Sequence, residues 1–374
     1  MKNDVIGLTR ALVAQNTINP PGNEAPLAMM IGELLAQNGF RVEYVPFGSD
    51  RLHVIAERGL DRENLPVVFT GHFDTVPLGN QEWSVDPFAG EIKDDKIYGR
   101  GTTDMKGAVA AMTIAAIQAF EEGTPAGGVR LVLTAAEELG CQGAMDLVKI
   151  YTGLGKARGI IVGEPTSNVP AIGHKGALYL NLKAFGVTAH SSMPQLGDNA
   201  IYKVAKAIVK MEQFDFGEQK DPLLGYSTIN VGKVSGGLNI NSVPDHAGFT
   251  IDARITSSIS NDAVLEKIKK EVGSEIDVEV LVNLPAVSND INDPFIHEVY
   301  DACGIQREQR NTPKTMPYLT DGSVLQGAYG NAPTIILGPG EPEMAHKIDE
   351  YCHVSKLEQA VDLYKKIILK NEKP

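Results

Sequence analysis

Apolar positions along the first half of the chain fall into two regimes: segments with a helical period, and short runs of consecutive apolar residues bounded by glycine or polar groups. The alternation predicts a mostly parallel sheet covered by helices. Four runs carry it. Val67-Val68-Phe69-Thr70 leads into Gly71-His72, Val129 to Leu133 into Glu137-Glu138, Ile160-Ile161-Val162 into Gly163-Glu164, and Thr334 to Leu337 into a Gly-Pro-Gly loop before His346. Ligands of an open α/β sheet bind outside the carboxyl ends of its strands, so four runs ending in polar, metal-competent groups should converge on one crevice.

From about Gly176 to Leu284 the pattern changes to strand, helix, strand, strand, helix, strand. Leu178 to Leu182 alternate, helices cover about Asn199–Met211 and Asn261–Val272, and Ser227–Val234 with Gly248–Ile255 read as a hairpin pair. A last strand near Asp277–Leu281 completes a ferredoxin-like α+β unit. A chain of 374 residues exceeds what one hydrophobic core usually holds. The expected organisation is therefore a catalytic α/β domain in two segments, 1–175 and 286–374, with a lid domain, 176–285, inserted between them.

Charge narrows the partners. A formal net charge of -13 disfavours nucleic acid and anionic membrane, either of which needs a basic face, and favours a small molecule or a metal. Neither a secretory leader nor a run of about eighteen apolar residues is visible, so a cytoplasmic protein is expected. Cys141, Cys303 and Cys352 are too few and too scattered for a disulfide framework and read as reduced thiols.

The candidate chemistry lies where the apolar runs stop. In His72-Phe73-Asp74 the two polar side chains share one side of an extended segment, so Asp74 is expected to accept a hydrogen bond from the imidazole nitrogen that does not ligate. An ordinary loop histidine would look the same. Gly99 to Gly107 is a glycine-rich loop that presents Asp104 at the start of an apolar helix from about Ala108 to Glu122, where a carboxylate is also favoured as a cap. Glu137 and Glu138 point in different directions, so one can ligate while the other touches the attacking water; without a cation two crowded acids would repel. Glu164 follows a buried run and needs a partner. His346 follows the glycine loop, with His353 as its competitor. Oxygen and imidazole donors without thiolate suit zinc, and also cobalt or manganese. Five ligands overserve one ion; two divalent ions about 3.5–4 Å apart could share Asp104, with His72 and Glu164 on one and Glu138 and His346 on the other.

These motifs closely resemble the co-catalytic zinc deacylases and peptidases, the family that includes acetylornithine deacetylase, succinyl-diaminopimelate desuccinylase, aminoacylase and glutamate carboxypeptidases. The matching stretches are Gly71-His72-Phe73-Asp74-Thr75-Val76-Pro77, Gly99 to Gly107, Glu137-Glu138-Leu139-Gly140, Gly163-Glu164-Pro165-Thr166 and Ala345-His346. The resemblance implies that Glu137 is the general base toward a metal-bound water that attacks an amide carbonyl. It implies that His190, in Gly186 to Pro194, reaches the active site of a neighbouring subunit and stabilises the oxyanion, which calls for a homodimer formed through the lid. Asn241 and Arg254 match positions that hold the substrate carboxylate; Arg254 is equally placed to pair with Asp252 on the same strand face. The expected substrate is an N-acyl-L-amino acid, acetylated or succinylated, with dipeptidase or carboxypeptidase activity as the alternative. Tyr318 to Ser323 departs from the corresponding run of the desuccinylases, which points away from that assignment. A non-catalytic relative should lack Glu137 or a ligand, and none is missing.

Overall fold

The four apolar runs form neighbouring parallel strands. Val67–His72 pairs with Val129–Thr134 on one side and Gly159–Val162 on the other, and Thr334–Ile336 adds next to Gly159–Val162. Every residue of these strands is buried, which is why their sequences show no polar alternation. His72 lies opposite Thr134, and Thr70 and Ile336 both lie opposite Val162, so the strands end nearly level. Leu52–Arg58 and then Arg41–Pro46 extend the sheet antiparallel on one flank, and Ala171 pairs antiparallel with Ile336 on the other. The result is a mixed, mostly parallel sheet.

The structure is a computed structural model, described for residues 4–61 and 63–370. The chain separates into one unit from Met1–Gly173, Asn289–Met316 and Thr320–Pro374, and another from His174–Ser288 with Pro317–Leu319. The first unit holds the sheet just described. Its helix Lys106–Glu122 is alanine-rich and buried over most of its length, and it packs against Val5–Val13, Val354–Leu369 and the strand Val67–His72. A helix that is apolar on nearly every face must be covered on nearly every face.

The second unit is a four-stranded antiparallel sheet in the order Thr228–Gly236, His246–Ile255, Gly176–Phe185, Ile276–Leu284. Its two central strands alternate between buried and half-buried residues along their length. Leu178, Leu180, Leu182, Phe249 and Ile251 form the core with Val204 and Met211 of the helix Ala200–Glu212 and Val264 and Ile268 of the helix Asn261–Val272. Strand order and element order together are those of a ferredoxin-like unit.

Candidate active site

Every polar group expected at a strand end in the first unit lies at one edge of its sheet. His72 is the last residue of its strand and fully buried. Its Nε2 stands 3.2 Å from Asp104 Oδ1 and 3.5 Å from Glu164 Oε1. The second oxygen of Asp104 faces the other way: His346 Nε2 is 3.3 Å from Asp104 Oδ2 and 3.2 Å from Glu138 Oε2. Asp104 thus stands between a His72–Glu164 pair and a His346–Glu138 pair, one carboxylate oxygen toward each. His353, the rival of His346, faces Asp95 at 3.4 Å and Glu341 at 3.7 Å, away from this cluster.

Local backbone geometry makes these approaches available. Ala136, between the strand Val129–Thr134 and Glu137, has φ 60°, and His346 has φ 64°. Left-handed conformations are costly for residues with a side chain and persist where the surroundings enforce them. The turn beyond Ala136 sends Glu137 and Glu138 to different places. Glu138 meets His346, whereas ligand atoms of Glu137, His72 and Glu164 all lie within 4.8 Å of one another. Gly338 is required by proximity: a Cβ there would lie 2.1 Å from the carbonyl oxygen of Gly163.

The structure corrects the expectation for Asp74. His72 Nδ1 lies 2.9 Å from the backbone carbonyl of Asp74, whereas the nearest Asp74 carboxylate oxygen is 3.6 Å away. That carboxylate is occupied elsewhere. Oδ1 accepts the N–H of Glu137 at 3.0 Å, and Oδ2 accepts the N–H of Glu138 at 3.2 Å and an N–H of Asn19 at 2.8 Å. Asp74 therefore fixes the tautomer of His72 through its main chain, and with its side chain holds the turn that carries the adjacent acids.

Three further residues at this edge carried no sequence signal. His53, fully buried, accepts the N–H of Ala135 on Nδ1 at 3.1 Å. Asp321, from the segment after Tyr318, accepts Thr134 Oγ1 at 2.5 Å and forms a buried cluster with Glu137 and Cys141. Glu350 accepts backbone N–H groups of the loop that presents Asp104. A motif search looks at neighbours in sequence, and each of these contacts joins segments far apart in the chain.

The electrostatics fit a divalent cation. Burial pushes the Glu164 carboxyl up to about 8, with the charge of Asp104 adding to it. Burial likewise raises Glu138, and raises Glu137 well above the carboxylate range. Hydrogen bonds to Asp104 and Glu138 lift His346 to about 10. Glu138 Oε1 is buried without a protein partner. Crowded acids with an orphaned oxygen, facing two imidazoles, are what a dication stabilises, since it reverses the cost of ionising them together. His72, Glu164, Asp104, Glu138 and His346 have the donor chemistry for such ions.

The remaining candidates lie in the second unit. His190 is exposed, with Nδ1 2.8 Å from Ser192 Oγ, and its residue bridges to Ser242. Asn241 is exposed beside it, and its carbonyl accepts the N–H of Ser191 at 3.0 Å. Arg254 is half-buried, donates to both oxygens of Asp252 at 2.8 and 3.2 Å, and lies over the ring of Tyr179. Among the described residues no helix is long and apolar enough to cross a membrane.

Residues 68–370 match the family described as Peptidase family M20/M25/M40. The chain is 30% identical over 401 residues to "Probable succinyl-diaminopimelate desuccinylase" of Staphylococcus epidermidis, covering 97% of this chain and 96% of that one. It is 30% identical over 363 residues to acetylornithine deacetylase of Vibrio vulnificus, covering 93% and 92%. The crystal structure of aminopeptidase PepT from Bacillus cereus shares the fold, with a TM-score of 0.77 at 24% identity over 98% of both chains.

Proposed function

We propose that this chain, which belongs to peptidase family M20/M25/M40, hydrolyses the amide bond of an N-acyl-L-amino acid at a centre of two divalent metal ions. The observation that carries this reading is the position of Asp104, with one oxygen toward His72 and Glu164 and the other toward His346 and Glu138. Zinc suits these donors best, and such ions supply Lewis acidity and make hydroxide available near neutral pH. The residues do the rest. Glu137 takes a proton from the attacking water and passes it to the leaving amine; its ligand atom lies within 4.8 Å of those of His72 and Glu164, beside the position a metal-bound water would take. Asp74 keeps Glu137 in place through the backbone.

His190 is assigned to the oxyanion of a substrate bound in a second subunit, and Asn241 and Arg254 to the substrate carboxylate. The chemistry of the second unit supports a homodimer. Its edge strand exposes Val234, the adjoining loop exposes Leu238 and Ile240 almost completely, and the neighbouring helix exposes Tyr202 and Val209. Exposed apolar clusters of this kind mark association surfaces. Three cysteines without a disulfide agree with a cytoplasmic setting.

The relatives named for desuccinylation and deacetylation support deacylase activity, and the fold shared with an aminopeptidase keeps dipeptide cleavage as the second reading. The deciding experiment is a panel of acetylated amino acids, succinylated amino acids and dipeptides with protein loaded in turn with zinc, cobalt and manganese. Hydrolysis of acylated amino acids is expected. Turnover of dipeptides alone would shift the assignment to a peptidase, and no turnover of any member would defeat the enzyme reading.

A further inference from the structure

Glu350 is fully buried, four residues beyond His346, and both of its carboxylate oxygens are taken by protein donors. Its Oε1 accepts three backbone N–H groups of one loop: Gly101 at 3.1 Å, Thr103 at 2.8 Å and Asp104 at 3.1 Å. Its Oε2 takes Arg100 Nη1 at 2.5 Å, and its carbonyl accepts the N–H of Gly99 at 2.8 Å. Thr103 Oγ1 donates to the next carbonyl, that of Tyr351, at 2.6 Å. Arg100 is itself buried, held by the carbonyl of Pro77 at 3.1 Å and by the face of Trp83. Successive N–H groups converging on one oxygen form a nest for an anion, and here the anion belongs to the chain itself.

The geometry points to Glu350 as the positioning residue for the Asp104 bridge. To serve two cations at once, Asp104 must present both carboxylate oxygens in a fixed plane, and its loop contains the flexible Gly99 and Gly101. Glu350 removes that freedom by holding the main chain at Asp104 itself and at Thr103 and Gly101. The segment 346–350 thereby supplies a donor, His346, at one end and the brace for the shared carboxylate at the other. A single ion can take Asp104 together with either pair alone, but a shared site needs Asp104 in register with both pairs. Losing Glu350 should therefore weaken occupation of the second position far more than the first.

This inference rests on the two-metal reading, and the experiment separates the two. Metal-free full-length protein is titrated with Mn2+ and followed by electron paramagnetic resonance, which distinguishes free ions, isolated bound ions and spin-coupled pairs. Wild-type protein should bind two ions as a coupled pair; fewer than two defeats the two-metal reading and the brace with it. Glu350→Ala should bind the first ion normally and the second about 10–100-fold more weakly, with the coupled signal lost. Glu350→Gln keeps an oxygen for the loop but turns an amide toward the Arg100 guanidinium, and should weaken the second ion measurably, by about three- to tenfold, while keeping the coupling. Two ions bound by Glu350→Ala at wild-type affinity, still coupled, would overturn the proposal even if that protein melted at a lower temperature. Should Glu350→Ala not fold, unchanged second-ion affinity in Glu350→Gln overturns it instead.

Discussion

The carboxylate of Asp74 accepts the backbone N–H of Glu137 at 3.0 Å, so a residue two positions after His72 holds the main chain of the acid proposed to move the proton. Asp74→Ala frees that N–H and the one of Glu138. A general base must sit within hydrogen-bond reach of its proton, and misplacement by about 1 Å costs on the order of 10²-fold in rate. Asp74→Ala is expected to lower kcat by about that factor, and Asp74→Asn, which keeps one acceptor oxygen, by less. Steady-state kinetics on the substrate found in the panel checks this; a kcat within a factor of about two of wild type in Asp74→Ala would remove Asp74 from this role.

The adjacent acids should separate cleanly. Glu137→Gln keeps the shape of the side chain and removes its basicity, so kcat should fall at least about 10²–10⁴-fold while two metal equivalents remain bound. Glu138→Ala should lose metal, because it removes an oxygen that faces His346. Metal content measured alongside the kinetics distinguishes the two, and high activity in Glu137→Gln would refute Glu137 as base.

Action of His190 across a subunit boundary can be tested by complementation. Glu137→Gln and His190→Ala are each expected to be nearly inactive alone. In a two-fold dimer, a mixed pair contains one site with an intact Glu137 and a partner's intact His190, so equal mixing with subunit exchange should restore about a quarter of wild-type activity. No recovery, with mixed dimers demonstrated by differential tagging, would place His190 in its own subunit's site or outside catalysis.

His53 gives a stability prediction. Burial, aided by the nearby Arg51 charge, pulls its imidazole down from 6.5 to about 4, and protonation of Nδ1 would set two donors against each other at the N–H of Ala135. Between those values the unfolded chain binds a proton that the folded chain refuses. Stability contributed here is therefore complete above pH 6.5 and lost on acidification toward pH 4, by about 3 kcal/mol at most. His53→Gln does not titrate, so the difference between wild-type and variant denaturation midpoints should change across this window. Parallel midpoints from pH 7 to about 4 would show that His53 does not titrate as its burial requires.

The parts of the site legible in the sequence were those delivered by strand ends. His72, Glu138 and Glu164 follow apolar runs that can only be buried strands, and level parallel strands bring their ends to one edge. His346, next after the glycine loop, joins the cluster, whereas His353 belongs to the short strand Tyr351–His353 and its ring turns toward Asp95. The partner of the Asp74 carboxylate is not legible in the sequence, because spacing along a strand shows which face a side chain takes but not what crosses that face. Here it is the turn at Glu137. Glu350, Asp321 and His53 were illegible for the same reason. The exchange of a parallel pattern for an antiparallel one near Gly176 was plain, since the period itself changes there.

The candidate centre draws on residues from position 72 to position 346, and most of the second compact unit lies in the chain between the third and fourth parallel strands. During synthesis from the N-terminus, His72, Asp104, Glu138 and Glu164 leave the ribosome long before His346 and Glu350. A nascent chain at that stage carries the crowded acids without His346 or Glu350. If the proposed metal centre is correct, its second position gains its imidazole only once His346 has been made.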